Sequence, residues 1–285
     1  MLKSVNRLVA VVLLATVSPA NMRAQPSDEL VRFDAAPYIR SQFQQRRATE
    51  RGETAMPTSQ AIEAHLSKPP GAGPFPAVIY LHGCSGLNVA SREHFAKMLN
   101  AWGYVSLAVD SFATRGIKED CGHPMPGREA DATGALVYLS KLAFVDQGRI
   151  AVVGSSEGGI VTLRLAAARD AKVFDVPNDL SFRAAIAFYP LCSAASEQMA
   201  IPTLVLIGEL DDWTPAKNCE RWMQLRNGKG APVKLVIYPG AYHAFDFPGL
   251  KDGMSRLGHW LKYDAEAARQ STEEMHDFLA ARLAR

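Results

Sequence analysis

The chain reads as one α/β unit over residues 61–285, a mainly parallel sheet with helices on both faces. Three observations predict it. Short apolar runs alternate with helix-forming stretches through the whole span, the pattern of repeated βαβ units. Several runs, such as Ala77-Val78-Ile79-Tyr80-Leu81 and Thr203-Leu204-Val205-Leu206-Ile207, are apolar at nearly every position, as strands covered on both faces are. With 285 residues, 48% of them hydrophobic and 21% charged, the chain is large enough to bury a sizeable core without dividing into two domains.

The first residues follow a different logic. Lys3 and Arg7 precede an apolar run from 8 to 17, and small residues stand at Ser18 and Ala20. That is the layout of a secretory signal peptide, and the run is too short to cross a bilayer. Cleavage after Ala20 fits best, with Ala24 as the second choice. An uncleaved membrane anchor is the competing reading. The mature protein is expected outside the cytoplasm, periplasmic or secreted. Losing Lys3 and Arg7 takes the formal net charge from +2 to 0. A near-neutral chain gives no reason to expect nucleic acid as partner or a stable membrane association. Residues 25–60 are polar and read as surface, apart from one edge strand near 30–33.

From residue 61 each element has a local cause. Ile62, Ala64 and Leu66 alternate with polar residues, which makes a half-buried strand. Lys68-Pro69-Pro70-Gly71-Ala72-Gly73-Pro74 breaks it, and the apolar strand 77–81 runs into His82-Gly83-Cys84-Ser85-Gly86. A helix at 92–101, a strand at 104–109, the loop 110–116, a polar stretch and a helix at 129–142 follow. The next strand, Arg149-Ile150-Ala151-Val152-Val153, ends in Gly154-Ser155-Ser156-Glu157-Gly158-Gly159 and turns at once into a helix at 160–169. Strands at 184–189, 203–207 and 233–238 come next, the last of these closing the sheet. A terminal helix at 265–283 puts Met275, Phe278, Leu279 and Leu283 on one stripe.

Gly-x-Ser-x-Gly between a strand and a helix is the setting of a nucleophile elbow. The sharp turn strains the serine backbone, and the flanking glycines keep side chains out of the way. A plain glycine-rich turn with Ser156 capping the helix is the bland alternative. In open α/β sheets reactive groups gather at the carboxyl ends of the strands. Asp211 lies just past the strand at 203–207, and His243 just past the strand at 233–238. Ser156, Asp211 and His243 therefore stand in the order nucleophile, acid, base. His243 would take the serine proton and Asp211 would orient its ring. Asp212 competes with Asp211, and the spacing to Pro215 favours the latter. His65, His94 and His276 fall inside a strand or helices, His82 in the glycine loop, His123 and His259 in irregular stretches. The backbone N–H groups of Cys84 and Glu157 are placed to hold an oxyanion.

The four cysteines, Cys84, Cys121, Cys192 and Cys219, are even in number in a chain expected to be exported, so disulfides are expected. Three pairings are open. Cys84 and Cys121 follow neighbouring strands, as do Cys192 and Cys219, which favours those two pairs over four buried thiols. No metal-ligand spacing is present, and no metal or other cofactor is expected.

These motifs, with Asp110-Ser111-Phe112-Ala113-Thr114-Arg115-Gly116 and Tyr238-Pro239-Gly240-Ala241-Tyr242-His243-Ala244-Phe245, resemble the dienelactone hydrolase family of α/β-hydrolases from about residue 61 onward. The resemblance implies hydrolysis of a small-molecule ester or lactone without a cofactor, by Ser156, Asp211 and His243, with Cys84 and Glu157 N–H groups as the oxyanion hole. Founding members carry cysteine where this chain has Ser156 and a regulatory glutamate where it has Gly83, so the chain stands nearer to ordinary esterases. Those members also grip a substrate carboxylate with two arginines. Arg115 falls near one position, though a salt bridge is the favoured alternative for a single arginine, and Phe247 stands where the second would be. Phe112, Trp213, Tyr242 and Phe247 are candidate lining for an apolar acyl pocket. Amidase or peptidase action uses the same triad, and a non-catalytic exported binding protein on this fold is the rival from another class.

Overall fold

The computed structural model describes residues 28–39, 60–122, 126–168, 173–177 and 180–284. The expected signal peptide with its cleavage sites, most of the 25–60 segment and His123 lie outside the described residues. In chain order the elements are β1 (Glu29–Asp34), β2 (Ala61–Ser67), β3 (Phe75–Leu81), α1 (Val89–Ala101), β4 (Val105–Asp110), α2 (Arg128–Ser140), β5 (Val145–Ser155) and α3 (Glu157–Ala166). Then come β6 (Ala184–Phe188), β7 (Thr203–Gly208), α4 (Ala216–Arg226), β8 (Val233–Tyr238), the short strands β9 (Met254–Arg256) and β10 (His259–Leu261), and α5 (Ala265–Arg282).

Eight strands form one sheet in the order β1-β2-β4-β3-β5-β6-β7-β8. β1 and β2 enter antiparallel, and from β4 onward the neighbours are parallel. Every residue of β6 and β7 is buried, so helices must cover both faces of the sheet there. β3 sits in the middle for the same reason: Ala77, Val78 and Ile79 are fully buried. Truncating Ile79 to Ala would cost about 2–5 kcal/mol. β8, at the edge, is only half-buried. Helix starts are set locally. Asn88 accepts from the Ser91 N–H ahead of α1, and Asp264 accepts from Glu266 and Ala267 N–H ahead of α5.

Register brings the strand ends to one rim. Leu81 pairs with Val109 on one side and Gly154 on the other, Ser155 with Phe188, and Gly208 with Tyr238. The segments after β3, β5, β6, β7 and β8 thus emerge side by side. The described residues include no helix long and apolar enough to cross a membrane.

Several expectations need correction. The residues just after β1 are not surface: Ala35 and Ala36 are buried, and the Ala36 N–H donates to the Ala130 carbonyl of α2. Gly134 makes that contact possible, since a Cβ there would sit 2.2 Å from the Asp34 carbonyl oxygen. The elbow helix begins at Glu157, directly after the serine, rather than at residue 160. β8 does not close the set of strands, because β9 and β10 pair as a separate antiparallel hairpin that also takes His259 out of irregular structure. Three-residue strands leave too short an alternation to read from sequence.

Candidate active site

Ser156 occupies the turn between β5 and α3 with φ 55° and ψ −116°, a region costly for any side chain. The glycines around it are there for space. A Cβ on Gly154 would lie 2.1 Å from the Gly158 carbonyl oxygen, and one on Gly158 would lie 2.2 Å from that of Leu81. The Ser156 N–H donates to the Phe188 carbonyl at 2.9 Å, which pins the turn to β6.

Asp211 and His243 arrive from the loops after β7 and β8, both 3% exposed, while Ser156 is half-buried. His243 Nε2 lies 3.0 Å from Ser156 Oγ, and its Nδ1 lies 2.8 Å from Asp211 Oδ2. With Asp211 as a carboxylate, Nδ1–H donates to it and Nε2 is left to accept the serine proton. Asp211 is itself held. Its Oδ1 accepts the Trp213 and Thr214 N–H groups at 3.0 and 2.8 Å, and Thr214 Oγ1 lies 2.9 Å from Oδ2. Asp212 points elsewhere: it accepts from the Trp260 N–H and pairs with His259. Below His243, the Tyr189 ring packs edge-on at 4.6 Å and its hydroxyl donates to Asp246 Oδ1 at 2.8 Å. Burial pushes the Asp246 carboxyl up, and the Tyr189 hydroxyl is pushed well up as well.

The glycine loop after β3 lies beside the elbow, where a Cβ on Gly83 would lie 3.4 Å from that of Ser156. His82 is buried beneath it. Burial, helped by the Arg128 cation, pulls its imidazole down to about 3, so it stays neutral. Nδ1–H donates to the Gly83 carbonyl at 2.7 Å and Nε2 accepts from Ser111 N–H at 3.3 Å. Cys84 is disulfide-bonded to Cys121, and Cys192 to Cys219.

The pocket expectations divide. Trp213 is half-buried and lies between two imidazoles, 5.2 Å from His243 and 5.0 Å from His259. Tyr242 and Phe247 are half-buried close by in the chain, with the Phe247 ring against Gly249. Phe112 is 2% exposed, so it belongs to the packing under the loops, against His82 and Arg128, rather than to an open wall. Arg115 takes the salt-bridge reading rather than the substrate-clamp one. Its guanidinium is forked onto the fully buried Asp131 at 2.7 and 2.8 Å, and its Nε donates to Gln60. A buried carboxylate needs that partner more than a solvent-facing substrate does.

Residues that sequence reading passed over also matter here. Thr214 was legible: Asp followed three positions on by Thr marks a side chain that caps its own turn, and that turn singles out Asp211 over Asp212. Arg128, Tyr189 and Asp246 had no local signal. Among the described residues, no group of three or more His, Cys, Asp or Glu side chains is arranged to hold a metal ion.

Comparison with known proteins agrees with this architecture. The chain is 24% identical over 246 residues to a protein named carboxymethylenebutenolidase from Methylorubrum extorquens, covering 74% of this chain and 80% of that one. It is 23% identical over 232 residues to acylamino-acid-releasing enzyme 1 of rice, covering 66% of this chain but spanning only 30% of that enzyme's length. Thermogutta terrifontis esterase 2, solved after phosphorylation by paraoxon, superposes with a TM-score of 0.60 at 19% identity, over 79% of this chain and 91% of that one, a likeness of fold. The family model for dienelactone hydrolases matches residues 62–283, nearly the whole of the described sheet and helices, and the chain belongs to the dienelactone hydrolase family.

Proposed function

We propose that the protein is an exported serine hydrolase that cleaves carboxylic esters or lactones through an acyl-enzyme. One observation carries the reading: Ser156 Oγ, His243 and Asp211 form an unbroken hydrogen-bonded line of 3.0 and 2.8 Å at the carboxyl rim of the sheet. Ser156 Oγ attacks the ester carbonyl carbon while His243 Nε2 takes its proton. Asp211 keeps the ring in the productive tautomer and stabilises the imidazolium. The N–H groups of Cys84 and Glu157 receive the oxyanion; one such donor is worth about 3 kcal/mol in the transition state. Collapse of the tetrahedral intermediate expels the alcohol with the proton from His243. Water, deprotonated by the same imidazole, then releases the acid and restores Ser156.

The substrate is an ester or lactone without a carboxylate held by two arginines, since Arg115 is committed to Asp131 and Phe247 stands at the second position. Two disulfides support an oxidising compartment, hence export. A second reading, amide or peptide cleavage, draws on the match to acylamino-acid-releasing enzymes. Comparing p-nitrophenyl acetate with the matching anilide separates the two. Fluorophosphonate labelling traced to Ser156, and loss of turnover in Ser156→Ala, test the nucleophile. Full turnover in Ser156→Ala would mean a reaction catalysed by other groups, and no turnover in the wild type would leave the non-catalytic role.

A further inference from the structure

The two backbone donors assigned above to the oxyanion come from separate pieces of chain, the loop after β3 and the first residue of α3. Their spacing must be held to a few tenths of an ångström for both to reach one oxygen. One buried cluster touches both pieces. Arg128, 1% exposed at the start of α2, donates from Nη2 to the His82 carbonyl at 2.6 Å, two residues before Cys84. Its Nη1 lies 3.5 Å from Glu157 Oε2, the side chain of the second donor residue. The Asp120 N–H donates to the Cys84 carbonyl at 2.9 Å, and the Asp120 side chain hydrogen-bonds Glu157. The Cys84–Cys121 disulfide closes the same ring from the other side. Phe112 covers the guanidinium, its centroid 5.3 Å away.

We propose that Arg128, Glu157 and Asp120 are positioning residues, a buried brace that fixes the distance between the Cys84 and Glu157 N–H groups and thereby sets the strength of the oxyanion hole. The inference rests on the serine-hydrolase reading and deepens it. Nothing in ester chemistry otherwise calls for a carboxyl on the residue after the nucleophile, nor for a guanidinium buried beneath it. The ionisable groups around the Glu157 carboxyl are Asp120 from the loop and Arg128 from α2, with neutral His82 on the far side of Arg128. Burial first, then the hydrogen bond with Asp120, pushes the Glu157 carboxyl up to about 7. Near neutral pH the Glu157 carboxyl therefore carries its proton part of the time, and the geometry of the cluster is what holds the two donors apart.

The test compares wild type, Arg128→Met, Glu157→Ala, Glu157→Gln and Ser156→Ala in the full chain. The readouts are kcat and KM on p-nitrophenyl acetate and the affinity of a trifluoromethyl ketone, which forms a tetrahedral adduct on the serine. Arg128→Met and Glu157→Ala should each lower kcat by about a hundredfold with KM within about threefold, and should weaken the ketone by a similar factor. Glu157→Gln, which keeps the bond to Asp120, should recover most of the Glu157→Ala loss. If Arg128→Met does not fold, the Glu157 pair decides by the same measures. The brace is overturned if kcat in the folded variants stays within about threefold of wild type, or if kcat falls while ketone affinity does not. Either result alongside an inactive Ser156→Ala leaves the triad reading standing, whereas an active Ser156→Ala removes the triad reading itself.

Discussion

Replacing Asp211 by Asn isolates the part of the site that most depends on its surroundings. In the wild type, Oδ1 accepts two backbone N–H groups at 3.0 and 2.8 Å, and Oδ2 faces His243 Nδ1 at 2.8 Å. An amide has one acceptor oxygen, and the two backbone donors will hold it at the Oδ1 position. The NH2 group must then take the Oδ2 position, where it donates to His243 Nδ1 and to Thr214 Oγ1. The Thr214 hydroxyl keeps the Tyr189 carbonyl as its own acceptor, so the fold loses no buried partner. The imidazole proton is forced onto Nε2, aimed at Ser156 Oγ, and the ring cannot act as a base. The expected loss in kcat is about ten-thousandfold, or roughly 5.5 kcal/mol of transition-state stabilisation, with an unchanged melting temperature. Steady-state kinetics on p-nitrophenyl acetate near pH 7.5 measures it. Asp212→Asn, whose carboxylate serves Trp260 and His259, is the control and should stay near wild type. An Asp211→Asn variant within about tenfold of wild type would mean that His243 is not oriented by this carboxylate.

Other expectations concern stability and the elbow. Glu157 carries a folded-state pKa of about 7 against an ordinary 4.5, so folding takes up a proton between those values and wild type loses stability as pH rises through that window. Glu157→Gln lacks this term, so its stability relative to wild type should rise between pH 5 and 8, on the order of 2 kcal/mol after allowance for solvent screening. Urea melts at the two pH values that stay parallel would disprove it. The Cys192–Cys219 disulfide spans 27 residues, and chain entropy values that crosslink at about 3.5 kcal/mol. Removing it with the double alanine variant should lower the denaturation midpoint accordingly and leave kcat near wild type, since neither cysteine touches Ser156. Gly158→Ala places a methyl 2.2 Å from the Leu81 carbonyl oxygen. Fluorophosphonate labelling should vanish in that variant, and intact labelling would show that the elbow tolerates a side chain there.

How much of this could be read without coordinates follows from how far each interaction reaches along the chain. Strands such as β6 and β7 are legible because burial on both faces demands uninterrupted apolar residues. Ser156 is legible because its strained turn needs glycines within two residues. Asp211 and His243 are legible through topology, since parallel strands deliver their following loops to one rim. Arg115 reads from its loop as a substrate clamp or a member of an ion pair, and only the packing of α2 reveals Asp131 as its partner. Arg128 is the extreme case. It stands at the first position of α2 in an unremarkable polar stretch, and its contacts, His82, Phe112 and Glu157, lie 46, 16 and 29 positions away. The β9–β10 hairpin escaped because three residues carry no readable period.

The strained serine and the buried ion cluster are two consequences of one packing problem. A positive φ at Ser156 costs about 1–3 kcal/mol and survives only where neighbouring backbone over-determines it. Here the Phe188 carbonyl holds the serine N–H, and the carbonyl ends of β3 press against Gly158 so closely that no side chain fits between them. The His82 carbonyl is among those oxygens, 2.6 Å from where a Gly158 Cβ would lie, and it is also the acceptor of Arg128. Any shift of the glycine loop that relaxed the elbow would therefore break a charge-assisted bond to a guanidinium that is only 1% exposed. Losing a hydrogen bond to a charged group costs about 1.5–3 kcal/mol, which offsets the strain it would relieve. Ser156 is kept in its costly conformation by the same contact that fixes the loop bearing Cys84, so the proposed nucleophile and the proposed oxyanion donors cannot drift independently.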